Sequence, residues 1–79
     1  MLTQLEQGAK VAGAKQARRA LQDGRAKALF LARNADPDLT QPLEQLAQDH
    51  QVPVCWIDTM AELGRACGIA VGAAVAALL

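Results

Sequence analysis

Aromatic residues are almost missing from this chain. Among 79 residues there is no tyrosine, and Phe30 and Trp56 are the only phenylalanine and tryptophan. That excludes the wide stacking platforms with which sheet-based readers hold single-stranded nucleic acid, so a fold of the RNA-recognition-motif kind is not expected. Excess charge of either sign is missing too. Eight Lys and Arg balance eight Asp and Glu, and composition alone therefore supplies no bulk attraction to phosphate. Cysteine is scarce: Cys55 and Cys67 lack a paired metal-ligand spacing, and their apolar neighbours predict two reduced, buried thiols. No metal and no cofactor are expected. Long apolar runs are absent as well, since Ile69 to Leu79 falls far short of the ~20 residues that span a bilayer. The opening Met1-Leu2-Thr3-Gln4-Leu5-Glu6 has no charged region followed by an apolar one. A cytoplasmic protein without a membrane partner is the expectation.

What the chain does have is small apolar side chains and an uneven distribution of charge. Hydrophobic residues make up 52% of it, enough to fill one core and to predict a single domain over residues 1–79. Six of the eight basic residues (Lys10, Lys15, Arg18, Arg19, Arg25, Lys27) fall between positions 10 and 27, with Asp23 the only acid among them, a local charge of +5. The acids gather later, at Asp36, Asp38, Glu44, Asp49, Asp58 and Glu62, so the molecule is expected to be electrically polarised.

The basic window centres on Gly13-Ala14-Lys15-Gln16-Ala17-Arg18-Arg19. As a helix starting after Gly13, it puts Lys15, Arg18, Arg19 and Gln22 on one face and Ala14, Ala17 and Leu21 on the other. A helix start leaves backbone N–H groups unpaired and a partial positive charge, the combination that suits an anionic backbone.

The remaining elements follow in order. Residues 2 to 7 suit a short helix with Leu2 and Leu5 inward and a Thr3/Glu6 capping box, ended by Gly8. Lys10-Val11-Ala12 is a short extended piece, and the helix after Gly13 runs to about Gln22, stopped by Gly24. Ala26 to Ala32 is an apolar run without alternation, which suits a strand covered on both faces. In Asp36-Pro37, aspartate can cap a helix and proline can occupy its first turn. That helix shows Leu39, Leu43, Leu46 and Ala47 on one face and ends near His50. Val52 to Ile57 is a second strand, with Pro53 tolerated near its start. Thr59 with Glu62 then opens a helix that buries Met60, Leu63 and Cys67 and stops at Gly68. Ile69 to Leu79 is ambiguous, since its alanines favour helix while Val71 and Val75 favour a closing strand. Helices alternating with strands predict an α/β sandwich, a small sheet between two helical layers.

Gly13-Ala14-Lys15-Gln16-Ala17-Arg18-Arg19, Ala35-Asp36-Pro37, Val52-Pro53 and Leu63-Gly64-Arg65-Ala66-Cys67-Gly68-Ile69 with Val71-Gly72-Ala73-Ala74 together resemble the large-subunit ribosomal protein family called seven-Ae and thirty-e. The chain looks most like its short bacterial, ribosomal-protein-like members. The resemblance spans nearly the whole chain. It implies a three-layer α/β/α sandwich with a mixed four-stranded sheet, and a strand at about Ala73 to Leu79. It also implies a monomer that binds structured RNA, namely kink-turns: sharply bent duplexes with a three-nucleotide bulge beside tandem sheared G·A pairs. Ribosomal RNA and riboswitches are the candidate targets, and DNA is not expected.

Carried onto this chain, the family's site residues are Gly13 and Ala14 at the helix start and Lys15 and Gln16 at the guanine edges, with Arg19 on nearby base or backbone groups and Arg18 in electrostatic support. A second group, Arg65, Gly68, Ile69, Ala70 and Val71, would pack on bulged nucleotides, with Ile69 equally suited to the core. Asp36 aligns with a position that touches a flipped nucleotide in some members, though its role as a helix cap suffices. The chemistry is consistent, because a sheared pair leaves guanine O6 and N7 open to a lysine and an N–H open to a glutamine carbonyl. Only a bent duplex brings those edges within reach. The chain departs from the family at Arg33-Asn34, where acidic residues are usual.

Two further functional classes compete with RNA binding. Zero net charge and the altered Arg33-Asn34 turn suit a protein-interaction adaptor that keeps the fold without RNA affinity. An enzyme built on Cys55 or Cys67 with His50 would need an activating motif beside the thiol, and the sequence offers none.

Overall fold

The computed structural model describes residues 2–79, and for Leu2 the backbone only. Helices and strands come in the order α1 (Leu2–Gln7), β1 (Lys10–Ala12), α2 (Ala14–Gln22), β2 (Ala28–Ala32), α3 (Pro37–Asp49), β3 (Val54–Ile57), α4 (Met60–Ala66) and β4 (Val75–Leu78). The four strands form one sheet in the order β1-β4-β2-β3. It is mixed: β4 runs antiparallel to both β1 and β2, and β3 runs parallel to β2.

Strand β2 explains the layers. All five of its residues are buried, and successive side chains on a strand point to opposite faces. Ala28, Phe30 and Ala32 enter one core with Leu5 of α1, Leu63 and Ala66 of α4, and Ile57. Leu29 and Leu31 enter the other with Ala17, Ala20 and Leu21 of α2, Leu43 and Ala47 of α3, and Val75 and Ala77 of β4. Thus α1 and α4 cover one face, α2 and α3 the other, giving the three-layer α/β/α sandwich. Removing a leucine or phenylalanine side chain of this kind from water contributes roughly 1.5–3 kcal/mol.

The ambiguous C-terminal stretch is a strand over Val75–Leu78, paired on both sides. Pairing of its backbone with two neighbours outweighs the helix propensity of its alanines. Two expectations need correction, the Thr3 cap and the buried thiols. The Thr3 cap is not there, because α1 begins at Leu2 and Thr3 is already helical, whereas a capping residue must keep extended backbone angles. The inward face expected of the Leu2 side chain lies outside the described residues. Cys55 and Cys67 are free thiols but only half-buried, packed at the margin of the α1/α4 core.

Helix ends follow one device. After α2, α3 and α4 the chain turns through a left-handed residue, at Gly24, Gln51 and Gly68. Each time the following amide reaches back into the last turn, as in Arg25 N to Ala20 O at 2.9 Å, Val52 N to Ala47 O at 2.8 Å and Ile69 N to Gly64 O at 3.1 Å. These are Schellman closures, which satisfy carbonyls that the helix itself leaves unpaired.

Candidate nucleic-acid interface

Because β1, β2 and β3 all run towards the same end of the sheet and β4 starts there, four connecting segments meet at that end. Backbone hydrogen bonds fasten them side by side. Gly13 N donates to Val75 O at 2.8 Å, Ala32 N to Ala74 O at 2.9 Å, and Arg33 N to Ile57 O at 2.8 Å. The start of α2, the loop before β4 and the turn after β2 therefore share one edge of the molecule.

Gly13 caps α2 with φ 104° and ψ 151°, a conformation that side chains with a Cβ rarely adopt. A Cβ built there would meet nothing within 4 Å, so backbone conformation demands the glycine, and the space above it is open to a ligand. No side chain caps this helix start. Its first-turn N–H groups, from Ala14 to Gln16, face outward by helical geometry, with the positive end of the helix dipole. Lys15, Gln16, Arg18, Arg19 and Gln22 are exposed, Ala14 is half-buried, and Ala17, Ala20 and Leu21 are buried, as the helical spacing predicts.

The six cations of the basic window are not one patch. Lys10 pairs in the sheet with Leu78 and Lys27 N donates to Leu78 O, which puts both at the opposite end of the sheet. Arg25 follows the C-terminus of α2 and lies 3.4 Å from Asp23. Lys15, Arg18 and Arg19 alone ride on the helix near the shared edge.

Beside that helix stands a small apolar loop on a rigid base. Gly68, at φ 76°, turns the chain out of α4, and Ile69, Ala70 and Val71 follow, all exposed. Val71 is 72% exposed and faces solvent, while Ile69, at 38%, is partly covered and shows only part of its side chain. The loop returns tightly along α4: a Cβ on Gly64 would collide with the Val71 carbonyl oxygen, and one on Gly72 would crowd Met60. Ala73 N then donates to Met60 O at 2.9 Å. A glycine inside a helical pattern, Gly64, was the sequence signal for this close approach. Arg65 is exposed on the same short helix.

The turn after β2 completes the edge. Asp36 caps α3, its carboxylate accepting from Asp38 N at 2.9 Å, and Pro37 takes the first helical position. Arg33 Nε lies 3.4 Å from Asp58 Oδ1, both side chains largely exposed, an ion pair of small energetic weight. Asn34 makes a contact that sequence reasoning missed: its Oδ1 accepts from Met60 N at 2.8 Å, across 26 positions of chain.

Nucleophile chemistry finds little support in this geometry. Cys55 and Cys67 pack on the α1/α4 side, while His50 closes α3 on the other face of the sheet, so histidine and thiols are separated by the sheet. Burial pushes the Cys67 thiol up, with Lys10 opposing the shift; a raised thiol is a poor nucleophile at neutral pH. Among the described residues no cluster of three or more His, Cys, Asp or Glu is placed to hold a metal. Among the described residues no helix is long and apolar enough to cross a membrane.

The family model described as Ribosomal protein L7Ae/L30e/S12e/Gadd45 matches residues 2–79. The chain belongs to this family. Among curated relatives, it is 41% identical over 75 residues to a protein named RNA-binding protein from Geobacillus sp. (strain WCH70), covering 95% of this chain and 92% of that one. It is 42% identical over 69 residues to one of the same name from Bacillus pumilus (strain SAFR-032), covering 87% and 84%. Among solved structures, the Giardia lamblia 15.5kD RNA binding protein superposes with a TM-score of 0.91 at 30% identity, over 98% of this chain and 68% of that one. The L7Ae-family fold and the four-stranded mixed sheet therefore agree.

Proposed function

We propose that this L7Ae-family chain is a non-catalytic RNA-binding protein that recognises and stabilises kink-turn RNA. One observation carries the reading: an uncapped helix start bearing exposed Lys15, Gln16 and Arg19 is fastened, through Gly13 N to Val75 O, beside a rigid loop with an exposed apolar tip. The names of its relatives support RNA as the partner class.

The two halves of the edge suit two halves of a kinked duplex. Lys15 reaches guanine O6 and N7 in sheared G·A pairs, and the Gln16 carbonyl accepts from an exposed N–H. Gly13 lets the backbone come close, and Arg18 and Arg19 hold the phosphates. Ile69, Ala70 and Val71 supply the apolar surface that unstacked bulge bases need, raised by Gly68, with Arg65 at its margin. Asp36 belongs to the rim of the site as the cap of α3. A straight A-form duplex would offer the helix only a groove too deep and narrow to read. The partner is thus a structured RNA, taken up by a monomer without a cofactor.

Sequencing RNA that copurifies with the protein tests this. The expected RNAs carry tandem G·A pairs beside a bulge; copurified RNA without that arrangement contradicts the proposal.

A further inference from the structure

We propose that Asn34 is a positioning residue for the apolar loop, acting through the backbone of Met60. The inference rests on reading Ile69 to Val71 as an RNA contact, and it goes beyond that reading by naming what holds the loop in register with α2.

Met60 is the first residue of α4, and its N–H is one of the donors a helix start leaves unpaired. The capping residue does not cover it, because the Thr59 hydroxyl accepts from Glu62 N at 3.1 Å. Asn34 supplies the missing acceptor, at 2.8 Å from Met60 N. The same peptide backbone is held from the other side, where Met60 O accepts from Ala73 N at 2.9 Å as the loop leaves for β4. Gly72 lies so close to Met60 that a Cβ on it would come within 3.1 Å of the Met60 Cβ. Met60 is therefore clamped between the turn after β2 and the exit of the apolar loop.

The turn itself is fixed, since Arg33 N donates to Ile57 O at 2.8 Å. The sheet thus sets the position of Asn34, Asn34 sets the start of α4, and the start of α4 sets where the loop ends. Ala74, the next residue, accepts from Ala32 N, which returns the path to β2. The ring closes over a few residues and includes one side chain, that of Asn34. Asparagine is also suited to this place chemically: its carbonyl accepts the amide as an aspartate would, without adding a negative charge at an edge that faces phosphate.

The experiment compares the wild-type protein with Asn34→Ala and Asn34→Asp. Affinity is measured for a kink-turn duplex and for a plain duplex of equal length, and amide exchange of Ala73 is followed in the free protein. Asn34→Ala should lower kink-turn affinity about five- to tenfold, the scale of one lost hydrogen bond, and change plain-duplex affinity less than about twofold. Ala73 exchange should quicken by a similar factor. Asn34→Asp should restore Ala73 protection and the ratio of the two affinities, because its carboxylate accepts the same N–H while its charge weakens both RNAs alike. A merely destabilising effect would not be rescued in that ratio. The proposal is overturned if Asn34→Ala leaves Ala73 exchange and the ratio unchanged, or if Asn34→Asp behaves like the alanine variant. A wild-type protein with no kink-turn preference would defeat the functional reading instead, and Ala73 exchange would still decide the tether.

Discussion

Gln51 ends α3 in a left-handed conformation, φ 60°, and is the one non-glycine residue with positive φ among the described residues. The same closure uses glycine after α2 and α4, so Gln51 carries a steric cost of about 1–2 kcal/mol that glycine avoids. Glycine gives back part of this through chain entropy. Gln51→Gly should therefore stabilise the fold by about 0.5–1 kcal/mol in urea unfolding, with RNA affinity unchanged. On α2, Gln16→Ala should reduce the preference for kinked over plain RNA by roughly tenfold, within the 1–3 kcal/mol of a base-edge contact. Arg18→Ala should instead weaken both RNAs and lower the salt slope by about one. Equal losses on both RNAs for both variants would contradict the division of roles between reader and phosphate contact. At this scale the sequence is legible wherever partners are near in the chain: Asp36 with Asp38, Thr59 with Glu62, Gly68 at its turn. Asn34 was not legible, because its partner lies 26 positions away.

Helix α4 and the loop after it form a unit whose stiffness comes from contact without side chains. Alanine is a better helix former than glycine by about 1 kcal/mol, yet a Cβ on Gly64 would run into the Val71 carbonyl. Backbone cannot give way as a side-chain tip can, so overpacking decides the sign. Gly64→Ala should destabilise the protein by about 1–3 kcal/mol, and the folded fraction should lose kink preference because Ile69 to Val71 are pushed outward. Chemical denaturation with RNA titration checks both. Among the elements, β2 was legible because burial on both faces leaves a continuous apolar run, and α2 because its charged and apolar residues separate cleanly at helical spacing. The C-terminal strand was legible only through the family resemblance, since alanines and valines in that stretch carry no period; physically, pairing with β1 and β2 selects strand. The basic window misled in one respect: counting along the chain joined Lys10 and Lys27 to cations at the other end of the sheet.

For the whole molecule, net charge is zero, so RNA affinity must come from placement rather than from bulk field. Lys15, Arg18 and Arg19 ride on α2 near the shared edge and exposed Arg65 stands at the margin of the apolar loop, which predicts a salt slope of only about −3 to −4 for kink-turn binding. Titrations at several salt concentrations would show it, and a much steeper slope would mean that the distant cations also touch RNA. The sandwich makes this economy workable, because one sheet end fastens a helix start, a capped turn and an apolar loop into a single rigid edge. The central claim is that this edge reads a kinked duplex. Calorimetric titration of the protein with a kink-turn duplex, and with the same duplex in which Watson–Crick pairs replace the tandem G·A pairs and the bulge is closed, tests it most directly. The account predicts binding at least about a hundredfold tighter to the kink-turn; affinities within about threefold of each other would contradict it.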